Sequence, residues 1–203
     1  MRSKLVSFVS VLAVLLAVSL VGVTVPSVEA AGSFPFNGLV DLDVAMDSAC
    51  AVYPNGAVTC WGNGSFGHYT GTNLRSRSVP TAIVGVTDAV QVATGTLGAC
   101  ARLGTGGVQC WGSGMLSLGS GSNDSITPQT ILGLTNVIDI GVGSQFACAL
   151  IQGGTVKCWG GNSEGQTGVS PSAFVAAPTT VAGLTNVTKL SVGSEEHTSR
   201  ERV

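Results

Sequence analysis

Phe146-Ala147-Cys148-Ala149-Leu150-Ile151-Gln152-Gly153-Gly154-Thr155-Val156-Lys157-Cys158-Trp159-Gly160 is the stretch whose reading decides the fold. Its flanks are apolar and β-branched, and its middle is a Gln-Gly-Gly turn, so it reads as a β-hairpin with a three-residue loop. The last residue of such a loop takes the left-handed conformation that glycine adopts freely. Counting outward from the turn sets Cys148 opposite Cys158. Cβ atoms across such a pair lie about 4.5–5.5 Å apart, close to what a disulfide needs.

Outward from this hairpin the pattern recurs. Cys50 and Cys60, then Cys100 and Cys110, repeat the spacing, with first cysteines 50 and 48 residues apart. Each second cysteine precedes Trp-Gly: Trp61-Gly62, Trp111-Gly112 and Trp159-Gly160. The other two turns, Pro54-Asn55-Gly56 and Gly104-Thr105-Gly106, also end in glycine. Before each hairpin, apolar residues alternate: Val40, Leu42, Val44; Val90, Val92; Ile138, Ile140, Val142. Such a strand buries one face and solvates the other. Gly95 and Gly143 close it in the later units, whereas Ala45 stands in the first, where a different turn is expected. After Trp-Gly, each unit runs through polar residues to Pro80, Pro128 or Pro178. Ile83-Val84-Gly85, Ile131-Leu132-Gly133 or Val181-Ala182-Gly183 follows, read as a fourth strand. Four short strands per fifty residues predict an all-β chain of tandem four-stranded propeller blades. The units are repeat 1 (38–87), repeat 2 (88–135), repeat 3 (136–185) and the start of a fourth (186–203).

Val142-Gly143-Ser144-Gln145-Phe146-Ala147-Cys148-Ala149-Leu150 and Val156–Gly168 resemble the regulator of chromosome condensation repeat, in the cysteine-rich form of exported bacterial proteins. The resemblance covers roughly residues 38 to 194. It implies a seven-bladed β-propeller, of which this chain supplies about three blades. His68 in the first unit and Met115-Leu116-Ser117-Leu118-Gly119 in the second depart from the Asn-x-x-Gly-Gln pattern of the third. The fourth unit starts at Asn186–Ser194 and then gives way to a charged tail, Glu195–Val203, with no cysteine. Three readings fit: a fragment of a longer protein, self-association through open blade edges, or an open array.

The N-terminus reads as an export signal. Arg2 and Lys4 precede an apolar run from Leu5 to Val25, and Val28-Glu29-Ala30 is a small-x-Ala cleavage site after Pro26. An uncleaved membrane anchor is the alternative, because the run is long enough to span a bilayer. Without residues 1–30 the chain keeps 7 basic and 10 acidic residues, a net charge of −3. That charge, with only Arg75 and Arg77 close together, excludes nucleic-acid binding by clustered cations. An exported chain meets an oxidising compartment, which favours three disulfides. Zinc ligands prefer closer cysteine spacing than nine intervening residues. Each bridge closes a loop of about ten residues and contributes roughly 2–3 kcal/mol.

Trp61, Trp111 and Trp159 are read as packing residues against their own or the next blade, with Gly62, Gly112 and Gly160 as structural partners; a ligand-stacking ladder is the alternative. Gly62–Gly67 matches a bare GxGxxG, but no βαβ unit surrounds it. Gly119–Asp124 lacks the repeated acidic ligands of a calcium loop. His68 and His197 are the only histidines, and no nucleophile–base set can be assembled, so no catalytic residue, metal ligand or cofactor is expected. The chain is therefore read as a secreted or envelope-bound, non-enzymatic binding or scaffold module. Its variable loops (64–78, 115–125 and 162–176) would meet a protein or glycan of the cell envelope. The competing class is catalytic or regulatory: the resemblance implies a guanine-nucleotide exchange factor, or accessory repeats of a longer envelope enzyme.

Overall fold

The computed structural model describes residues 38–63, 76–112 and 125–193. Twelve strands form three separate four-stranded antiparallel meanders. The first is β1 (Asp41–Val44), β2 (Ser48–Val52), β3 (Val58–Gly62) and β4 (Arg77–Ala82). The second is β5 (Ala89–Thr94), β6 (Gly98–Leu103), β7 (Val108–Gly112) and β8 (Ser125–Thr130). The third is β9 (Val137–Val142), β10 (Phe146–Ile151), β11 (Thr155–Asn162) and β12 (Ser172–Thr180). Successive sheets pack through their first and second strands, β1 and β2 against β5, then β5 and β6 against β9. These are blades of an incomplete β-propeller.

The central hairpins share one register. Cys50 pairs with Cys60, Cys100 with Cys110 and Cys148 with Cys158 in the ladders. All three pairs are disulfides, with Cα atoms 4.1, 4.0 and 4.1 Å apart. The last turn residues, Gly56, Gly106 and Gly154, have φ of 75°, 82° and 85°. They serve a second purpose. The carbonyls of Gly56, Gly106 and Gly154 accept the N–H groups of Ala89, Val137 and Val187, at 3.0, 3.0 and 3.3 Å. Each turn therefore pins the start of the following unit. A Cβ on Gly106 would meet the backbone of Asn136 at 3.1 Å, a tight approach that adds to the strain of its positive φ.

Three expectations are corrected. The fourth strands lie earlier than the apolar segments, over Arg77–Ala82, Ser125–Thr130 and Ser172–Thr180, and include the prolines. Each is the outermost strand of its sheet, where proline's missing N–H costs no ladder bond. Ile83-Val84-Gly85 and Ile131-Leu132-Gly133 are turns instead, their glycines at positive φ. Ile83 and Ile131 are buried while Val84 and Leu132 are exposed.

The first unit's turn does not differ. Ala45 N–H bonds Ser48 at 2.9 Å, as Gly95 bonds Gly98 and Gly143 bonds Phe146, both at 2.8 Å. Glycine at 95 answers to the neighbouring sheet, because a Cβ there would collide with the Gly143 carbonyl. Finally, the alternation in β1 buries nothing on its apolar side: Val40, Leu42 and Val44 are exposed.

The core lies between blades. One cluster joins Cys50, Val52, Val58 and Cys60 of the first blade to Val92, Ala99, Ala101 and Trp111 of the second. The next joins Cys100, Val108 and Cys110 to Ile140, Val142, Ala149 and Trp159 of the third. A third cluster covers Cys148, Leu150, Val156 and Cys158 with Val187, Leu190 and Val192 of the following segment. Each disulfide is thus sealed by the unit after it. Trp111 and Trp159, both fully buried, lie in clusters that hold residues of the preceding blade as well as of their own.

Candidate functional site: the concave face of the inner strands

The first strand of each sheet faces a common hollow. A cavity of about 400 Å³ is lined by β1 and the adjoining Ala45, by residues 91–94 of β5, 139–142 of β9 and 189–192 of the fourth unit. In antiparallel pairing, alternate N–H groups of an edge strand point away from their sheet partner. Here those of Val92 and Thr94 point outward, and side chains from the preceding blade meet them. Asp41 accepts the Val92 N–H at 2.8 Å, and Asp43 accepts the Thr94 N–H and hydroxyl at 2.6 and 2.7 Å.

The same device recurs two units later. Asp139 accepts the Leu190 N–H at 2.8 Å. Asp41, Gln91 and Asp139 occupy one repeat position, two residues into the alternating strand. In the second blade Gln91 replaces the carboxylate. Its Nε2 donates to Asp139 at 2.6 Å while its Oε1 accepts from Arg102 at 3.0 Å. Polar residues on the concave face therefore latch successive blades together. Hydrogen bonds to a charged acceptor contribute about 1.5–3 kcal/mol each when part-buried. Sequence reasoning passed over these residues. Their signal was a polar residue recurring at one repeat position between apolar ones.

The third blade also builds a rigid connection. Asn162 is fully buried at the end of β11. Its Oδ1 accepts the Thr167 N–H and hydroxyl at 3.0 and 2.6 Å, and its Nδ2 donates to the Ser170 carbonyl at 2.9 Å and to Ser172 Oγ at 3.2 Å. Every donor and acceptor of the amide is used, which fixes the loop that crosses to β12. This loop, with exposed Ser163 and Glu164, is the variable segment that the structure describes most fully.

The six cysteines stand as three bridges inside the blades, away from the concave lining. Trp111 and Trp159 are enclosed between blades, and Trp61 is only partly buried. Gly62, Gly112 and Gly160 share φ values of 105°, 126° and 104°. A Cβ on Gly62 or Gly112 would strike the backbone at the start of the hairpin's first strand. Among the described residues, no three His, Cys, Asp or Glu side chains are placed to hold a metal ion. Residues 1–30, read from the sequence as an export signal, His68, His197, most of the GxGxxG stretch, 119–124 and the loop cores 64–75 and 113–124 lie outside the described residues.

Residues 137–166 match the Regulator of chromosome condensation (RCC1) repeat family. No curated protein matches the chain's sequence. Among solved structures, human WBSCR16 is similar over 73% of this chain and 39% of its own, at 24% identity and a TM-score of 0.62. Prp20p of Saccharomyces cerevisiae, a protein with binding properties toward Gsp1p and histones, is 26% identical over 72% of this chain and 37% of its own, with a TM-score of 0.61. The same yeast protein in complex with Kap60 gives 26% identity over 72% and 36%, with a TM-score of 0.60. The chain thus spans somewhat over a third of these relatives. The third unit thus matches the regulator of chromosome condensation repeat, and the three blades are similar in fold to the propeller of that family.

Proposed function

We propose that the chain is an exported, non-enzymatic binding module whose propeller loops engage a protein partner. The observation that carries this reading is the set of three equivalent disulfides, one per blade, on a repeat whose yeast relative binds proteins. Disulfides persist in oxidising compartments, and the signal-like residues 1–30 supply the route there. Loops on a rigid sheet scaffold are where such folds place recognition. The segment 163–171, braced by Asn162, is the candidate whose geometry is described. An envelope protein is the partner class that export would bring into reach.

Two measurements test the reading. Expressed with its own N-terminus, the chain should be recovered outside the cytoplasm, begin at Ala31 and show no titratable thiols. A photo-crosslinker at exposed Ser163 should then capture a protein from the envelope fraction, and the same probe at exposed Leu132, on another turn, should not. Cytoplasmic retention with six free thiols would sink the export reading. Equal capture from both positions would sink the loop as the binding surface.

A further inference from the structure

We propose that the open face of β1 is a docking surface for a second copy of this chain, which seats the segment around Lys189 against it head to tail. The inference goes beyond the binding reading and does not depend on where the chain acts.

The first blade exposes what the other two cover. Leu42 and Val44 correspond to Val92 and Thr94 in β5 and to Ile140 and Val142 in β9. Leu42 is 50% exposed and Val44 67%, whereas Val92 is 2%, Thr94 6%, and Ile140 and Val142 5% each. The covered residues lie under a preceding blade, and in β5 the outward N–H groups of Val92 and Thr94 are received by side chains of that blade. By the ladder register Leu42 and Val44 hold the same orientation in β1. Among the described residues, no side chain meets their N–H groups. The structure therefore states what fits here: the leading face of a unit of this same repeat.

The chain carries that complement at its other end. The segment 187–193 packs on the third sheet through Val187, Leu190 and Val192, as β9 packs on the second. At the repeat position of Asp41, Gln91 and Asp139 it presents Lys189, and at that of Asp43 it presents Ser191. Within the chain, Gln91 donates to the carboxylate at the same position of the next blade, Asp139. Lys189 offers a stronger donor at this position, and the next position in such an array is Asp41 of another copy. That carboxylate already holds Val92 N–H with one oxygen and has the second free for Lys189. Ser191 Oγ would accept the Val44 N–H. The contact is heterologous: one end of the chain meets the opposite end of its copy.

The test is the mass of the full chain in mild non-ionic detergent, followed by light scattering or sedimentation across a concentration series. The wild type should pass from monomer to higher species. V44E, at a site too exposed to matter for folding, should raise the dissociation constant at least tenfold. K189E should raise it several-fold. Adding D41Q to K189E should restore association, since a glutamine at this position can accept Val92 N–H and donate to Glu, as Gln91 does to Asp139. A chain that stays monomeric to about 100 µM overturns the proposal. So does association that is indifferent to V44E, which would come from residues 1–30, or a K189E defect that D41Q leaves unrepaired.

Discussion

The three hairpins and the connection that follows the third are held in different ways. Each hairpin is specified within about fifteen residues: alternating strands, a glycine-ended turn and a bridge across directly opposed positions. The crossing from β11 to β12 instead hangs on one buried amide, Asn162, which gathers Thr167, Ser170 and Ser172. The first and second units have Gly64 and Gly114 at that position, so neither can form this hub. Local redundancy makes the hairpins uniform. Dependence on a single side chain makes the third connection individual, and individual loops are where a repeat protein acquires specificity.

The sharpest way to break this contrast is Asn162→Ala, which strands a buried N–H and hydroxyl of Thr167. We expect about 4 kcal/mol of lost stability in denaturant melts. Amide exchange should rise first over 163–171 while the β10–β11 hairpin stays protected. Removing the third bridge by Cys148→Ala with Cys158→Ala should cost less, about 2–3 kcal/mol, and loosen the hairpin itself. If the double mutant frees the β11–β12 loop more than Asn162→Ala does, the division between the two regions is wrong. Gly106→Ala comes next, at roughly 1–2 kcal/mol, because it strains a positive φ and crowds Asn136. Its signature is weakened protection at Val137, in the neighbouring unit. The smallest effects compare equivalent apolar positions: Val142→Ala should cost about 1–2 kcal/mol and Val44→Ala under about 0.5, measured in dilute, monomeric protein.

The hairpins were legible because their determinants sit close together and recur three times. Opposed cysteines follow from counting outward from Gly56, Gly106 and Gly154, and the bridged ladder needs no distant contact. The blade interfaces were less so. Asp41 and Val92 are 51 residues apart, and the latching position varies from Asp to Gln to Lys along the chain, so residue identity hides the shared geometry. Gly95 looked like a turn residue, yet it is required by the carbonyl of Gly143 in the next sheet. The fourth strand was sought in the apolar segments after Pro80, Pro128 and Pro178, whereas it runs across those prolines on the outer edge of each sheet, a placement that only the sheet order reveals. In the site, Asn162 stood inside the quoted repeat motif, but the fact that its amide is fully engaged depends on burial, which one sequence does not state.

That every bridge begins and ends inside one hairpin has a bearing on how such chains can lengthen. Six thiols admit fifteen pairings. Here each cysteine meets its partner ten residues away, as soon as one turn has closed. Oxidation is then settled unit by unit as the chain emerges, and it never waits on a neighbour. Duplicating or deleting a blade adds or removes a complete pair and leaves no orphan thiol behind. A gene can therefore change its number of repeats without rewriting the oxidative chemistry of the rest.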